Sequence, residues 1–151
     1  MNNPRINQRE LKFRGWHSKL QRIIPASELV EDQLTITADG RFINVSGSSA
    51  VLSVIFPPDK FVPMQYTGLK DKNGVEIYEG DIVRYQFRGP QGEIRNDYVG
   101  IVQWDEVNPC FMVQDAKDPN RYDYDFVVCG MVAIEVLGNV HEDAHLLEVP
   151  A

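Results

Sequence analysis

The chain is 151 residues long, 43% hydrophobic and 25% charged, with a formal net charge of −7 and a pI near 4.9. One sizeable core fits that length, no run approaches the ~18 consecutive apolar residues of a membrane-spanning helix, and the polar start lacks the apolar segment of a secretory signal, so a cytoplasmic protein is expected. The acidic balance argues against generic binding to a phosphate backbone, which needs clustered Lys and Arg to replace counterions.

Residues 1–10 read as a flexible arm, residues 11–60 as an N-terminal region of strands and a hairpin, and residues 61–151 as a small barrel domain with a C-terminal tail, all expected to pack as one compact unit. In residues 11–16, Leu11 and Phe13 alternate with Lys12 and Arg14 as in a half-buried strand. Together with Arg5, Arg9, Lys19 and Arg22 they make the start of the chain basic and the remainder acidic, which suits an acidic partner or an intersubunit contact. Ser27 is a candidate cap for a short helix over residues 28–32. Residues 34–37 and 41–45 flank an Asp39-Gly40 turn and predict a hairpin, and residues 50–56, stopped by Pro57 and Pro58, predict a further extended segment.

Asp71, Lys72, Asn73 and Gly74 form the tight turn of another hairpin, because Asn-Gly readily takes positive φ. Gly80 and Asp81 bend the chain into a strand over residues 82–87, where Val83, Tyr85 and Phe87 alternate with Arg84 and Gln86. Residues 88–92 are a loop, 98–104 a strand, 105–109 a turn and 110–114 the returning strand. After a polar turn, Arg121, Tyr122, Asp123, Tyr124 and Asp125 alternate aromatic with charged side chains, and residues 134–140 form a last strand that bends at Gly138 and Asn139. Short strands with turns every roughly 8–12 residues suggest a mainly β fold, a small barrel or sandwich with little helix. Val83, Tyr85, Ile101, Trp104, Phe111, Val113, Ile134 and Val136 are the expected core. Cys110 and Cys129 have no metal or disulfide spacing and read as buried free thiols.

The run Gln65, Tyr66, Thr67, Gly68, then Asp71 and Gly74, then Ile77, Tyr78, Glu79, Gly80, Asp81, Ile82, Val83 closely resembles the "QYTG", "D-x-x-G" and "IYEGDIV" signature of the YopX family of phage and prophage proteins. Leu11 to Trp16 resembles that family's "IKFRAWD" opening, and Gly100 to Phe111 its "GVVEWDEEEGCF". The resemblance implies an SH3-like small barrel, here with an N-terminal β-hairpin layer, and a family without an established biochemical activity.

His141, Glu142, Asp143, Ala144 and His145 literally satisfy H-E-x-x-H, the zinc-binding pattern of a metal-dependent hydrolase when it lies on a helix. Only six residues follow His145, no long helix is predicted there, and the family resemblance sets "YENPE" at these positions, so catalytic zinc is not expected. Glu76, Glu79 and Asp81 are carboxylates with no recognisable pairing across a substrate, no nucleophile constellation appears, and no cofactor is expected. The aromatic side chains offer more. Tyr66, Tyr78, Tyr122 and Tyr124, with Lys12 and Arg14, are the candidate binding residues, and exposed rings on a small barrel line grooves for peptides or bases. The resulting expectation is a non-enzymatic protein-interaction module. It would assemble with itself, because its strand edges and its apolar 50–56 segment exceed what one small barrel covers, and its acidic surface favours a further contact with another protein. The first alternative is a nucleic-acid-binding module using the basic strand and the tyrosines; the second is hydrolysis through His141, Glu142 and His145.

Overall fold

A computed structural model describes residues 10–31, 34–36, 41–44, 54–56, 60–88, 91–120, 122–123 and 131–148. Residues 1–9 of the expected arm, the 38–40 turn, Tyr124 and Cys129 lie outside them. In chain order the elements are β1 (Phe13–His17), β2 (Arg22–Ile24), α1 (Ala26–Glu31), β3 (Leu34–Ile36), β4 (Phe42–Asn44), β5 (Val54–Phe56), β6 (Phe61–Lys70), β7 (Glu76–Tyr78), β8 (Asp81–Arg88), β9 (Ile94–Asp105), β10 (Cys110–Asp115), β11 (Tyr122–Asp123), β12 (Met131–Asn139) and a 3₁₀ turn at Ala144–Leu147. The protein is mainly β, as the turn spacing predicts. No helix among the described residues is long and apolar enough to cross a membrane.

The described strands form three antiparallel sheets, in the orders β2-β1-β6-β7, β11-β10-β9-β8-β12 and β3-β4-β5. The predicted hairpin of residues 34–45 is present, with Leu34 opposite Asn44 and Ile36 opposite Phe42, and β5 adds to its other side. β1 pairs along β6, from Phe13 opposite Gln65 to His17 opposite Phe61, so the first strand joins a sheet with the segment that carries the signature. In the five-stranded sheet β11 and β12 are the outer strands, and no pairing joins them among the described residues. The closure expected of an SH3-like barrel is therefore not part of the observed pairing.

The signature residues act as corner pieces. At the β6–β7 turn the Asp71 carboxylate accepts the Asn73 and Val75 backbone N–H groups at 2.7 and 2.9 Å, and Gly74 supplies φ +83°. Its second oxygen accepts Val136 N–H at 3.1 Å, and Lys72 N–H donates to the Ile134 carbonyl at 3.0 Å, so the turn is tied to β12. At the β7–β8 corner Gly80 takes φ +79°, and a Cβ there would lie 2.8 Å from the Met64 methyl carbon. Gly80 N–H donates to Val102 O and its carbonyl accepts Val140 N–H, at 2.8 and 2.9 Å, linking the corner to both β9 and the chain's last turn.

Three apolar clusters result. Ile77 enters a core with Val83, Tyr85, Val102, Phe111 and Val113; Trp16, Met64, Tyr66 and Tyr78 form a second; Ile24, Leu29 and Phe61 form a third. The start of β8 is covered on both faces, since adjacent Ile82 and Val83 are both fully buried, whereas Arg84 is exposed. That explains two departures from the expected core. Ile101 pairs with Ile82 and is only half-buried, while its neighbour Val102, opposite Val113, is fully buried. Trp104 sits at the end of β9, touching Phe111 edge-on at 5.1 Å, and remains 39% exposed. Ile134 and Val136 pack against the first cluster but are only partly buried, because β12 is an outer strand. The helix starts at Ala26, one residue before Ser27, because the Pro25 carbonyl already accepts the Leu29 N–H. Cys110 is a free thiol, half-buried rather than fully so, where β10 leaves the turn.

Candidate functional site

Lys12, one residue ahead of β1, and Arg14, within it, both reach toward β7 and the β8 corner. The Lys12 ammonium donates to both Glu76 oxygens at 2.6 and 2.7 Å, and Arg14 Nη2 pairs with Asp81, whose other oxygen accepts the Tyr78 N–H at 2.8 Å. Tyr78 donates its hydroxyl to Glu76 at 2.7 Å. The Arg14 guanidinium lies 4.6 Å from the Tyr78 ring centre and the Lys12 ammonium 5.9 Å from that of Tyr66. Four of the candidate binding residues, Lys12, Arg14, Tyr66 and Tyr78, thus meet in one cluster.

Their roles differ from the expected groove. Tyr66 and Tyr78 are each only 5% exposed, with ring centres 5.5 Å apart, because paired positions on β6 and β7 put both rings inside the second core. They are packing residues rather than an open stacking platform. Tyr122 is placed on the outer strand β11 opposite Gln114, away from this cluster in the sheet order. What remains open beside the cluster is a cleft of about 380 Å³, lined by Lys12, Arg14, Glu76 and Tyr78 together with Ile23, Pro25 and exposed Val75.

The electrostatics follow from this pairing. Bonds from Lys12 and then Tyr78 hold the Glu76 carboxyl below its ordinary range, and the same Glu76 bond raises Lys12. Burial, followed by Glu76, pushes the Tyr78 hydroxyl up. Burial also raises Asp81 against the opposing pull of Arg14 and the Tyr78 N–H, and it raises Glu79 against the Gln65 backbone. At Asp71 burial works upward but the N–H groups of Val136, Val75 and Asn73 outweigh it, and the carboxyl is lowered. The carboxylates of the signature are thereby committed to backbone corners and to β1.

The H-E-x-x-H run is not an α-helix. His141 and Glu142 lie in the turn after β12, and the chain then makes the 3₁₀ turn that carries an exposed His145. Asn139 organises this turn, accepting the His141 and Glu142 N–H groups at 3.0 and 3.1 Å and donating to the Glu142 carboxylate at 2.8 Å. The other Glu142 oxygen accepts Ile23 N–H at 3.2 Å, and the His141 ring stacks on Trp16 at 4.9 Å, with 5° between the planes. His141 and Glu142 thus fasten the end of the chain onto β1 and β2. No group of three His, Cys, Asp or Glu side chains placed to hold a metal occurs among the described residues.

Burial and the nearby Arg14 lower the His141 pKa, with Glu142 opposing. Because its folded pKa lies below the unfolded value of about 6.5, the unfolded chain takes up the proton first as pH falls, and stability declines from about that pH until the folded pKa is passed. Glu76 and Asp71, also lowered, add a second loss below their unfolded values of about 4.3 and 3.9. Urea midpoints measured at pH 7.5, 5.5 and 3.5 should fall in two stages, and His141→Phe, which keeps a ring against Trp16, should remove most of the first.

These corner residues fall in one continuous match: the family model described as YopX protein covers residues 12–148. The chain belongs to the YopX family. Among solved structures it is similar to the crystal structure of protein EF1440 from Enterococcus faecalis, with 24% identity and a TM-score of 0.55, over 93% of this chain and 100% of that one. At that identity the likeness speaks for the fold alone. Among curated proteins no match is found. The YopX signature seen in the sequence is here a set of supports: Asp71 holds the β6–β7 turn, Gly80 the next corner, and Asp81 both that corner and Arg14. Linear reading placed a bend at Gly138 and Asn139 but missed Asn139's hydrogen bonds to the following turn, and it missed the partners of Lys12 and Arg14, which lie 64 and 67 residues away along the chain.

Proposed function

We propose that this YopX-family protein is a non-enzymatic interaction module, phage- or prophage-derived and cytoplasmic, that associates with itself and with another protein. The observation that carries the reading is the tip of the β9–β10 hairpin. Asp105, itself buried, accepts the Val107 N–H at 2.8 Å and the Asn108 side-chain amide at 3.1 Å. That fixed turn holds Val107 86% exposed beside the partly exposed Trp104. An apolar side chain displayed on a rigid turn loses little conformational freedom on docking, which favours its use as a contact, and tryptophan is enriched among residues that dominate interface energies.

The nucleic-acid reading loses support from the same structure. Lys12, Arg14 and Arg22 are paired with Glu76, Asp81 and Glu28, so three of the basic residues counted near the start have intramolecular counter-charges. The hydrolase reading loses support from the stacked His141 and the hydrogen-bonded Glu142.

Light scattering coupled to size exclusion tests the proposal. At micromolar concentration the wild-type mass should exceed the 17.2 kDa of one chain and rise with concentration, and Val107→Asp should return it to a single chain. A mass fixed at one chain across that range would overturn self-association.

A further inference from the structure

We infer that Asn73 is a site of spontaneous deamidation, and that its conversion unfastens the Asp71 turn from β12 and bares that strand's outer edge. Of the chain's nine asparagines only Asn73 is followed by glycine. The reaction begins when the Gly74 nitrogen, giving its proton to solvent, attacks the Asn73 side-chain carbonyl carbon; a succinimide ring closes, and the amide nitrogen takes up a proton and leaves as ammonia. Water then opens the ring at one of its two carbonyls. Opening at the former side-chain carbonyl gives aspartate, whereas opening at the main-chain carbonyl gives isoaspartate, whose backbone runs through the side chain and is one methylene longer. Glycine suits this step because it brings no Cβ against the approaching carbon, and both residues are exposed.

The folded turn holds the attacking nitrogen back. Gly74 N–H donates to the Asp71 carbonyl at 3.0 Å, while the Asp71 carboxylate fixes the N–H groups on either side, those of Asn73 and Val75. Attack therefore waits for local opening of the turn, and the Asp71 bonds set how often that occurs. Conversion bars the return. A methylene added between Asn73 and Gly74 spoils the spacing that lets Gly74 reach Asp71, and in either product a like charge stands beside Asp71 and Glu135, whose charged forms the amide had favoured.

What the turn releases is a strand edge. β12 is an outer strand, and the turn occupies two groups on its free side: Lys72 N–H donates to the Ile134 carbonyl at 3.0 Å, and Val136 N–H donates to the Asp71 carboxylate at 3.1 Å. Unpaired edges of this kind invite pairing with another chain. A converted molecule thus gains a route to association that is independent of the Val107 tip.

The full chain, incubated at mildly alkaline pH and mapped by proteolysis and mass spectrometry, should gain the mass of an amide becoming an acid at Asn73 before any other asparagine, with isoaspartate detected by enzymatic methylation. Asp71→Ala, which frees the turn, should raise the rate towards that of the chain in concentrated urea; if that variant does not fold, urea below the midpoint opens the turn in its place. Asn73→Gln, whose larger ring closes far less readily, should stop the change. Converted chains, separated by their added charge, should show a lower urea midpoint and faster exchange of the Val136 amide hydrogen, and Asn73→Gln chains incubated alike should show neither. An Asn73 that stays intact while the unfolded chain converts, or that converts as fast folded as unfolded, overturns the inference. So does a converted chain whose Val136 amide exchanges as slowly as before.

Discussion

Asp81→Ala should cost about 3–5 kcal/mol, the range seen when one partner of a buried ion pair is removed, measured as a lower urea midpoint with an unchanged slope. The side chain is fully buried, and its two oxygens serve the Tyr78 N–H and the Arg14 guanidinium. Alanine leaves a largely buried cation over the Tyr78 ring without its counter-charge and opens the corner that turns β7 into β8. The double variant Arg14→Met with Asp81→Ala separates these effects. It removes the stranded cation but still leaves the Tyr78 N–H without its acceptor, so it should recover more than half of the loss, since an intact buried pair is worth far less than the penalty for breaking it. Equal instability in the single and double variants would show that the corner hydrogen bond, and not the ion pair, matters.

Ile77→Ala should cost about 2–5 kcal/mol, as for other large-to-small core changes. Ile77 belongs to β7 in the four-stranded sheet, yet it is fully buried among Val83, Tyr85 and Val113 of the five-stranded one. Shortening it leaves a void between the sheets, and neither sheet can close that void without moving the Asp71 turn off β12 or the Gly80 corner off β9. The loss should appear in one cooperative urea transition followed by both near-UV and far-UV circular dichroism. Two separated transitions would mean that the sheets unfold independently and that Ile77 is not their joint.

Local chemistry explains what the sequence made legible. Asn73-Gly74 specifies its turn within four residues, and the alternation of Val83 and Tyr85, or of Phe111 and Val113, announces inward faces wherever one side of a strand is polar. The Ile101-Val102 pair carries no such contrast, because both side chains are apolar, and only the pairing register decides which residue is enclosed. Trp104 looks like core by size, but its place at a strand end is set by where the hairpin turns. The candidate cluster was half legible: Lys12 and Arg14 stand out as a charged strand face, and Tyr66 and Tyr78 as signature aromatics. That the cations belong to Glu76 and Asp81 depends on β1 lying along β6, a long-range pairing that no spacing encodes. The H-E-x-x-H run is the converse case, a pattern whose meaning required a helix that the turn at Asn139 prevents.

The Ile23–Glu142 hydrogen bond spans 119 residues of sequence, and β1 itself waits for β6. On a ribosome, β1 therefore emerges with only β2 to pair with, and its other edge and the Ile23 N–H meet their partners much later. Contacts this distant must be won against loop-closure entropy, so this architecture belongs with slowly folding β proteins. Meanwhile the nascent chain carries unpaired strand edges among its neighbours. The turn at His141 and Glu142 thus acts in time as well as in space: until it is made, β2 and the Trp16 ring stay open to wrong partners.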